Sequence, residues 1–570
     1  MRFRSGAIAL LLWLVPLHCV AQADEPQLPS LALLLKPHMS AGKVDYVDGR
    51  LSIESPDVDA GGTLLRMPLV IVSIPTARYD GDVIKAVDAQ GEIPLTQQDE
   101  APGPSGTYRR WLASRATQGD VTVSFRAPPR TITPTTRNGP LFDLRTDGAG
   151  VLGAGITFIP LPDSETAYRI TVRWDLSDMP AGSRGVSSMG QGEIHTIGPA
   201  QRLAFNFYVA GPLRSYPPAG SEQFAMYWLS DLPFDPAELA ESIHTLYQYM
   251  AAFFQDEGAP YRVFIRKNAN RASGGTALPQ SFMFGWDEHD VPTSQALQSL
   301  LSHEMAHNWR GLDGEHGDTS WYSEGAAEYY SVVLSYRAGV LSPAQFLEAV
   351  NTRATAYYTN PYRSSSNAEA AKVFWSDWSA QRVPYGRGFM YLAQVDAQIR
   401  ERSGGRRSLD DIVVPLFLEK KQGKAPGIAD WLKKVEAELG PKAHSAYEAM
   451  VAGRMLTPPA NALAPCFKPV KDKARRFELG MASKSFNGEH KVVQELVAGS
   501  AAQTAGLRNG DEIIEFTDPL QAQKHLDQPM HLRVRRGGKE LEFEYAPLGE
   551  TVEAYRWERV ASVADADCKV

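Results

Sequence analysis

Short apolar runs separated by Gly and Pro turns dominate the chain from about residue 24 to residue 212. In runs such as 121–125 and 168–174, apolar and polar residues alternate, and no helical period is sustained. A period of two places successive side chains on opposite faces of a strand. Short strands at this spacing predict a β-sandwich for residues 24–212.

The pattern changes after Pro233. Residues 237–254 have apolar positions at helical spacing and predict an amphipathic helix, and residues 261–265 predict a strand. The chain then stays mostly helical until about residue 456, so a second domain is predicted over residues 213–457. Residues 458–472 are rich in Pro and Ala and are expected to be a linker.

One predicted helix of this second domain carries paired histidines. Thr293 or Ser294 is a suitable N-cap, and apolar residues follow at helical spacing: Leu297, Leu300 and Leu301. His303 and His307 are four residues apart, so their side chains lie on one face and can bind a single metal ion. Zinc accepts two His and one carboxylate and leaves a fourth position for water. Glu304 can reach that water without binding the metal, and this pattern is typical of metallopeptidases.

The third zinc ligand is expected on a second helix, which is predicted to begin near residues 321–324 and to end before Gly339. Glu324 and Glu328 are four residues apart on one face of it. One can bind the metal while the other orients a ligand His through its second ring nitrogen. We expect Glu324 to be the ligand and Glu328 to lie behind it. His316 is expected to be in a loop and not to bind the metal.

Length and charge limit the other possibilities. A chain of 570 residues is too long for one core, so several domains are expected. The hydrophobic fraction of 43% and the charged fraction of 22% are ordinary for a globular protein. The net charge is −8 and no basic stretch is sustained, so nucleic acid is not expected as a partner. No segment beyond the N-terminus is apolar for long enough to predict stable membrane insertion.

The N-terminus predicts a secretory signal peptide over residues 1–23. Arg2 and Arg4 precede a mostly apolar run from residue 7 to about residue 17, and residues 21–23 form a small-x-small cleavage site. The mature protein would be secreted or periplasmic. An uncleaved membrane anchor is the alternative, and the short apolar run disfavours it.

Two cysteines remain beyond this segment, because Cys19 lies within it. Cys466 and Cys568 bracket the last hundred or so residues. In an oxidising compartment the two can form a disulfide, which would tie the chain terminus to the start of the final domain. Two free thiols are the alternative that the sequence leaves open.

The final part of the chain has a glycine pattern of its own: Gly499-Ser500-Ala501-Ala502, Ala505-Gly506-Leu507 and Gly510-Asp511-Glu512-Ile513-Ile514. Over about residues 473–548 it resembles a PDZ domain of the bacterial protease type, so we expect this domain at residues 473–550 and a tail at residues 551–570. The resemblance implies a loop whose backbone N–H groups bind the terminal carboxylate of a peptide that adds as an extra strand. Leu479, Gly480 and Met481 stand where that loop would be. A purely structural module is the alternative.

The zinc motif, the run 321–325 ahead of Tyr329-Tyr330, and the PDZ-like segment together resemble the M61 peptidases, the glycyl aminopeptidases. These gluzincins are related in fold to the M1 aminopeptidases. The resemblance implies a multidomain α+β protein with a β-rich N-terminal domain, a thermolysin-like catalytic domain with a helical region, and a C-terminal PDZ domain. It also implies one zinc ion and peptide substrates.

Two further sites follow from the M61 resemblance. Tyr385, in the run 383–388, stands where the family has a Tyr whose hydroxyl stabilises the oxyanion. Gly274, Gly275, Thr276 and Ala277 are expected to lie along the substrate. In related aminopeptidases this loop carries a Glu that pairs with the substrate α-amine, and Ala277 stands where that Glu is expected.

Three functions remain open from the sequence. The preferred one is an aminopeptidase that favours small N-terminal residues, Gly or Ala. The alanine in the amine-binding loop keeps an endopeptidase or a dipeptide-releasing peptidase with the same zinc chemistry as the second. The third is a non-catalytic protein that binds partners through its PDZ domain.

Overall fold

The computed structural model describes the chain except for residues 1–27, 72–73, 102, 104–105, 133–138, 269–273, 288–292, 375, 487–489 and 569. The predicted signal peptide therefore lies outside the described residues. Within them, no helix combines the length and the apolar character needed to cross a membrane.

The N-terminal part is almost entirely β-structure. Its strands are Ser30–Ser40 (β1), Lys43–Ile53 (β2), Thr63–Ile71 (β3), Ile74–Pro75 (β4), Lys85–Asp88 (β5), Gly91–Ile93 (β6), Leu95–Asp99 (β7), Thr107–Ala113 (β8), Val121–Ala127 (β9), Arg145–Asp147 (β10), Gly150–Ala154 (β11), Ala167–Trp174 (β12), Arg184–Ser187 (β13), Gly190–Gln191 (β14), Ile194–Pro199 (β15) and Phe207–Gly211 (β16). One short helix, Gln201–Ala204 (α1), and one 3-10 turn, Gly155–Thr157, interrupt them.

These strands form three sheets around one apolar core. The strand orders are β15-β12-β1-β2-β9-β5-β6, β4-β3-β8-β7 and β10-β11-β16-β13-β14. A sandwich has two sheets, so the prediction is right about strands and incomplete about layers. In the third sheet, β11 and β16 are buried along their whole length.

The central part of the chain begins with a five-stranded sheet of order β17-β18-β19-β21-β20. Its strands are Arg214–Tyr216 (β17), Phe224–Trp228 (β18), Tyr261–Lys267 (β19), Gly274–Leu278 (β20) and Ser281–Trp286 (β21). β18, β19 and β21 run parallel, and β20 pairs antiparallel with β21 at the sheet edge.

Helices pack on this sheet and continue beyond it. They are Pro236–Phe253 (α2), Ser294–Ala306 (α3), His316–Arg337 (α4), Pro343–Thr359 (α5), Asn367–Lys372 (α6), Trp378–Gln381 (α7), Val383–Ser403 (α8), Asp410–Lys421 (α9), Ile428–Leu439 (α10) and Lys442–Val451 (α11), with a 3-10 turn at His307–Trp309. Of the two N-caps that the sequence offered, Thr293 caps α3, by accepting a hydrogen bond from the Ala296 N–H at 3.1 Å.

Helix α4 begins five residues earlier than predicted. Gly314 has φ +145°, which lets the chain turn sharply just before the helix, and Asp318 lies in the first turn, where a negative charge is favoured. His316 is therefore the first residue of the helix and not part of a loop. Its ring contacts Phe374 with ring centroids 4.5 Å apart.

The last part of the chain is built around an antiparallel ribbon. Phe467–Phe477 (β22) pairs with Leu548–Arg559 (β26), and the ribbon packs on α5. The predicted linker at 458–472 thus contains half of β22, and the predicted tail at 551–570 contains most of β26. The predicted tail packs against the central part of the chain. Trp557 is buried in the core of the central part, and Cys568 forms a disulfide with Cys466.

Residues 478–547 lie between the two ribbon strands and form a smaller unit, which we call the C-terminal unit. It contains Ala501–Thr504 (α12), Glu512–Phe516 (β23), Pro519–Lys524 (α13), Met530–Arg536 (β24) and Lys539–Tyr545 (β25), with a 3-10 turn at Ser483–Phe486. A separate apolar cluster fills it. A last 3-10 turn, Asp565–Asp567, follows β26.

Candidate active site

Three donor atoms from two neighbouring helices meet at one point. His303 and His307 lie at the C-terminal end of α3, with their Nε2 atoms 3.2 Å apart. Glu324, on α4, places Oε2 at 3.4 Å from the first imidazole nitrogen and at 3.5 Å from the second. Within the described residues, this is the one group of His, Cys, Asp and Glu side chains arranged to hold a metal ion.

The dimensions of this triangle fit zinc. A tetrahedral ion with metal–donor distances of about 2.0–2.2 Å requires donors about 3.3–3.6 Å apart. The Oε2 atom of Glu324 is also buried and accepts no hydrogen bond within the described part of the chain. A buried carboxylate oxygen without a donor is costly, and a cation bound between it and the two imidazoles would compensate it.

The charges at the triangle act on one another. Burial alone would raise the pKa of Glu324, but His307 and His303 hold the pKa of this carboxyl well below its usual value. For His307, burial lowers the pKa, but the carboxylates of Glu324 and then Glu304 raise it, and the pKa lies above its usual value. Glu324 is therefore ionised, as a metal ligand must be.

Glu328 lies behind His303, one helical turn after Glu324. Its Oε1 atom is 3.5 Å from Nδ1 of His303, and its side chain is 9% exposed. Arg353 forms an ion pair with Oε2 of the same carboxylate, and Arg382 donates a hydrogen bond to Oε1 at 3.4 Å. The sequence predicts that Glu328 lies behind the metal ligands, but it gives no indication of the two arginines.

Glu304 faces a cavity beside the triangle. The cavity has a volume of about 530 Å³, and both Glu304 and His307 line it. The carboxylate lies close enough to the buried Tyr261 to contribute, after burial, to raising the pKa of that phenol. Glu304 thus lines the cavity and does not belong to the donor triangle.

Tyr385 covers the other side of His303. The two rings are stacked, with centroids 5.6 Å apart and an interplanar angle of 11°. Burial, followed by the Glu324 carboxylate, raises the pKa of Tyr385 well above its usual value. The phenol therefore stays protonated and can act as a hydrogen-bond donor next to the donor triangle.

Two glycines bring Tyr385 and Glu324 together. Gly325 on α4 and Gly388 on α8 lie where the two helices cross, and an added Cβ at Gly388 would be 2.6 Å from Cα of Gly325 and would collide with the carbonyl oxygen of Trp321. Only residues without a side chain allow backbones to approach so closely. Both glycines stand in motifs noted in the sequence, where their structural reason was not visible.

The predicted substrate-binding loop is the edge strand β20, whose outer edge has no strand partner within the described residues. An added Cβ at Gly274 meets nothing within 4 Å, whereas one at Gly275 would collide with the ring of Phe282. Thr276 is turned inward, and its Oγ1 accepts a hydrogen bond from the Leu141 N–H at 2.7 Å. Ala277 lines the cavity beside Glu304.

Asn308 connects the end of this edge strand to α3. Its Oδ1 atom accepts a hydrogen bond from the Gln280 N–H at 2.9 Å, and its Nδ2 atom donates to the Met305 carbonyl at 2.8 Å. The turn after β20 is thus fixed to the end of α3. Asn308 directly follows His307 in the sequence, but the sequence gave no indication of this role.

Besides Glu304, the carboxylate found among the described residues of the cavity already has partners. Apart from Glu304, the one carboxylate among the described cavity residues is Asp256. It pairs with Lys421 at 2.6 Å and accepts a hydrogen bond from Trp309 Nε1 at 3.1 Å. Ala277 pairs with Phe282 of β21. The buried Asp287 lies five residues after Phe282 in the sequence, which places Asp287 about 17 Å from Phe282 along the strand direction.

In the C-terminal unit, the predicted carboxylate loop is held by its carbonyl groups. The Leu479 carbonyl accepts a hydrogen bond from Tyr545 at 2.7 Å, and the Gly480 carbonyl accepts one from the Val497 N–H at 2.8 Å. None of the backbone N–H groups of Leu479, Gly480 and Met481 donates a hydrogen bond within the described residues. Gly480 has φ +80°, a conformation that favours glycine.

A known protein family matches the part of the chain that contains the donor triangle. The family model described as M61 glycyl aminopeptidase matches residues 296–387. This range contains His303, Glu304, His307, Glu324 and Tyr385. No curated protein sequence matches the chain.

Solved structures show the fold. An aminopeptidase N family protein from Idiomarina loihiensis is 13% identical and superimposes with a TM-score of 0.64 over 95% of this chain and 99% of that one. A variant of an M1 zinc metallopeptidase from Deinococcus radiodurans, bound to a Tyr-Ser-Ala substrate, is 16% identical over 76% and 95% of the two chains, with a TM-score of 0.45. Leukotriene A4 hydrolase from Saccharomyces cerevisiae is 15% identical over 76% and 68%, with a TM-score of 0.46. The chain shares the overall α+β architecture of the first of these structures.

Proposed function

We propose that the protein is a metallopeptidase whose single Zn²⁺ is held by His303, His307 and Glu324. The observation that carries the proposal is the donor triangle with edges of 3.2, 3.4 and 3.5 Å beside a cavity that contains Glu304. When bound there, zinc would polarise the scissile carbonyl and lower the pKa of a water molecule toward neutrality.

The side chains around the triangle supply the remaining chemistry. Glu304 takes the proton of the attacking water and later delivers it to the leaving amine nitrogen. Tyr385, whose ring stacks on that of His303, donates its phenolic hydrogen bond to the oxyanion. Glu328, whose Oε1 atom lies 3.5 Å from Nδ1 of His303, would orient this ring so that its Nε2 lone pair is directed at the metal position.

The substrate would lie along β20. An extended peptide can pair with the free edge of a sheet through main-chain hydrogen bonds, and Gly274 leaves room for its close approach. Because Thr276 is committed to Leu141, its contribution comes from the backbone alone.

An aminopeptidase that removes Gly or Ala from free N-termini is the specific activity that we propose first. The match of residues 296–387 to the glycyl aminopeptidase family supports it. One observation favours a second candidate, an endopeptidase or a dipeptide-releasing peptidase with the same chemistry. Ala277 cannot bind an ammonium group, and Asp256, which also lines the cavity, already pairs with Lys421.

Mass spectrometry of cleavage products separates these activities. The zinc-loaded protein is incubated with matched peptides that begin with Gly or Ala and carry either a free or an acetylated N-terminus. Stepwise loss of single residues from free ends alone would support the aminopeptidase, and internal cuts in both sets would support the endopeptidase. The absence of cleavage in both sets would contradict a peptidase and favour a binding protein.

For the C-terminal unit we propose a PDZ-type module that binds a C-terminal peptide carboxylate at Leu479, Gly480 and Met481. The three undonated backbone N–H groups support this because such groups bind carboxylates. We also propose export through a signal peptide at residues 1–23. The disulfide between Cys466 and Cys568 supports it, since disulfides persist in oxidising compartments.

A further inference from the structure

Arg382 touches both groups that flank His303. Its guanidinium carbon lies 3.7 Å from the centroid of the Tyr385 ring, and its Nη2 atom is 3.4 Å from Oε1 of Glu328. Tyr385 stacks on one side of the His303 ring, and Glu328 lies at its Nδ1 atom. Arg382 therefore contacts both Tyr385, the proposed oxyanion donor, and Glu328, the proposed orienting group for His303.

The two contacts are not equivalent. Glu328 also pairs with Arg353 through its other oxygen, so its charge stays compensated without Arg382. The Tyr385 ring has no second cation among its described contacts. A guanidinium over an aromatic face is attracted by the ring, so the contact that depends on Arg382 is the one that fixes Tyr385.

The short helix directly before Arg382 is contacted by the C-terminal unit. This helix is α7, which has four residues and begins at Trp378, and Arg382 connects it to α8. The carboxylate of Asp377 is shared: Oδ1 accepts hydrogen bonds from the Ser379 and Ala380 N–H groups, and Oδ2 accepts one from the Ser483 hydroxyl at 2.8 Å.

Trp378 adds an apolar contact to the same unit. It packs against the apolar cluster of the C-terminal unit, with its ring 5.7 Å from that of Phe486. A helix of four residues has little stability of its own. Contacts with other parts of the chain must therefore fix its position. Ser483 and Phe486 supply such contacts.

We propose that Arg382 is a positioning residue for Tyr385, and that the C-terminal unit is part of the active site because it holds α7, and with it Arg382, through Asp377 and Trp378. The inference rests on the proposed peptidase function. It assigns the C-terminal unit a role that does not depend on any peptide ligand.

The first test is a double-mutant cycle between Arg382→Met and Tyr385→Phe in the full-length, zinc-loaded protein. Arg382→Met should lower kcat about 10- to 100-fold, the usual effect of losing a supporting contact, with little change in KM and with metal content retained. In the Tyr385→Phe background the same change should have almost no further effect. Full activity of Arg382→Met, or equal effects in both backgrounds, would overturn the role of Arg382.

The second test concerns the C-terminal unit and does not need activity. Ser483→Ala removes the hydrogen bond to Asp377, while Ser485→Ala removes a hydrogen bond to Gln494 within the unit and serves as the matched control. Amide hydrogen exchange, followed by mass spectrometry, should accelerate across residues 379–386 in Ser483→Ala and Trp378→Ala but not in the control. Unchanged exchange in both variants would refute the holding role.

The two tests also separate this inference from the proposed function. Ser483→Ala should lower kcat at least about 3-fold, as expected for a hydrogen bond of average strength, and the control should not. If the wild-type protein hydrolyses no peptide, the peptidase proposal fails, and the exchange measurements still decide whether the C-terminal unit fixes α7.

Discussion

At the scale of single residues, Glu304 is the side chain on which the proposed hydrolysis depends. It lines the cavity and lies outside the donor triangle, so it can move a proton without holding the metal. We expect Glu304→Gln to keep one zinc per chain and to lower kcat about 100- to 10,000-fold, the range typical of general acid–base catalysis. Glu348→Gln, at an exposed position on α5, is the control. Normal turnover by Glu304→Gln would exclude it as the base.

In the proposed metal site, Glu328 acts on the metal through His303. Its Oε1 atom lies 3.5 Å from the ring nitrogen that does not face the metal position. Glu328→Gln should weaken zinc binding about 10- to 100-fold, measured by competition with a chromogenic chelator. At saturating zinc the variant should recover most of its activity, because no catalytic group is lost. Unchanged zinc affinity would show that Glu328 serves only to pair the arginines.

At the scale of elements, the crossing of α4 and α8 sets the distance between Glu324 and Tyr385. A Cβ at Gly388 would collide with the Trp321 carbonyl. Gly388→Ala should therefore force the helices apart, lower the free energy of unfolding by about 1–3 kcal/mol and reduce kcat.

The control for this prediction is Gly317→Ala, in the first turn of the same α4. A Cβ there would be 3.7 Å from that of Ala371, an ordinary contact, and replacing a helical glycine should stabilise by about 0.4–1 kcal/mol. Thermal unfolding and peptide hydrolysis of both variants test the difference. Equal behaviour of the two alanine variants would mean that the crossing tolerates a side chain.

The elements that the sequence predicted best are those with a local pattern. The N-cap Thr293 and the strand that begins at Tyr261 follow from short-range spacing and are confirmed. The early start of α4 was missed because no capping side chain marks it. The contacts of Arg382 and Asn308 were missed because they join segments that only the tertiary fold brings together, and no spacing rule encodes such contacts.

At the scale of the whole molecule, the disulfide between Cys466 and Cys568 closes a loop with a sequence separation of 102. In the chain-entropy model, a loop of this length contributes about 4–5 kcal/mol of stability. The double variant Cys466→Ser/Cys568→Ser should therefore unfold at a lower temperature than the oxidised protein. Wild-type protein treated with a reductant should behave like the variant, and an unchanged melting temperature in both would argue against the bond in solution.

The ribbon of β22 and β26 has a consequence for the order in which the molecule is completed. The chain leaves the central part at Phe477 and returns at Leu548, which pairs with Phe477 in the ribbon. During synthesis, the last strand that covers α5 thus emerges only after the whole C-terminal unit. A chain that stops after residue 547 would contain every side chain of the donor triangle and still lack Trp557 and Cys568, which are buried in the same core. Such a chain is therefore expected to be less stable than one that includes β26.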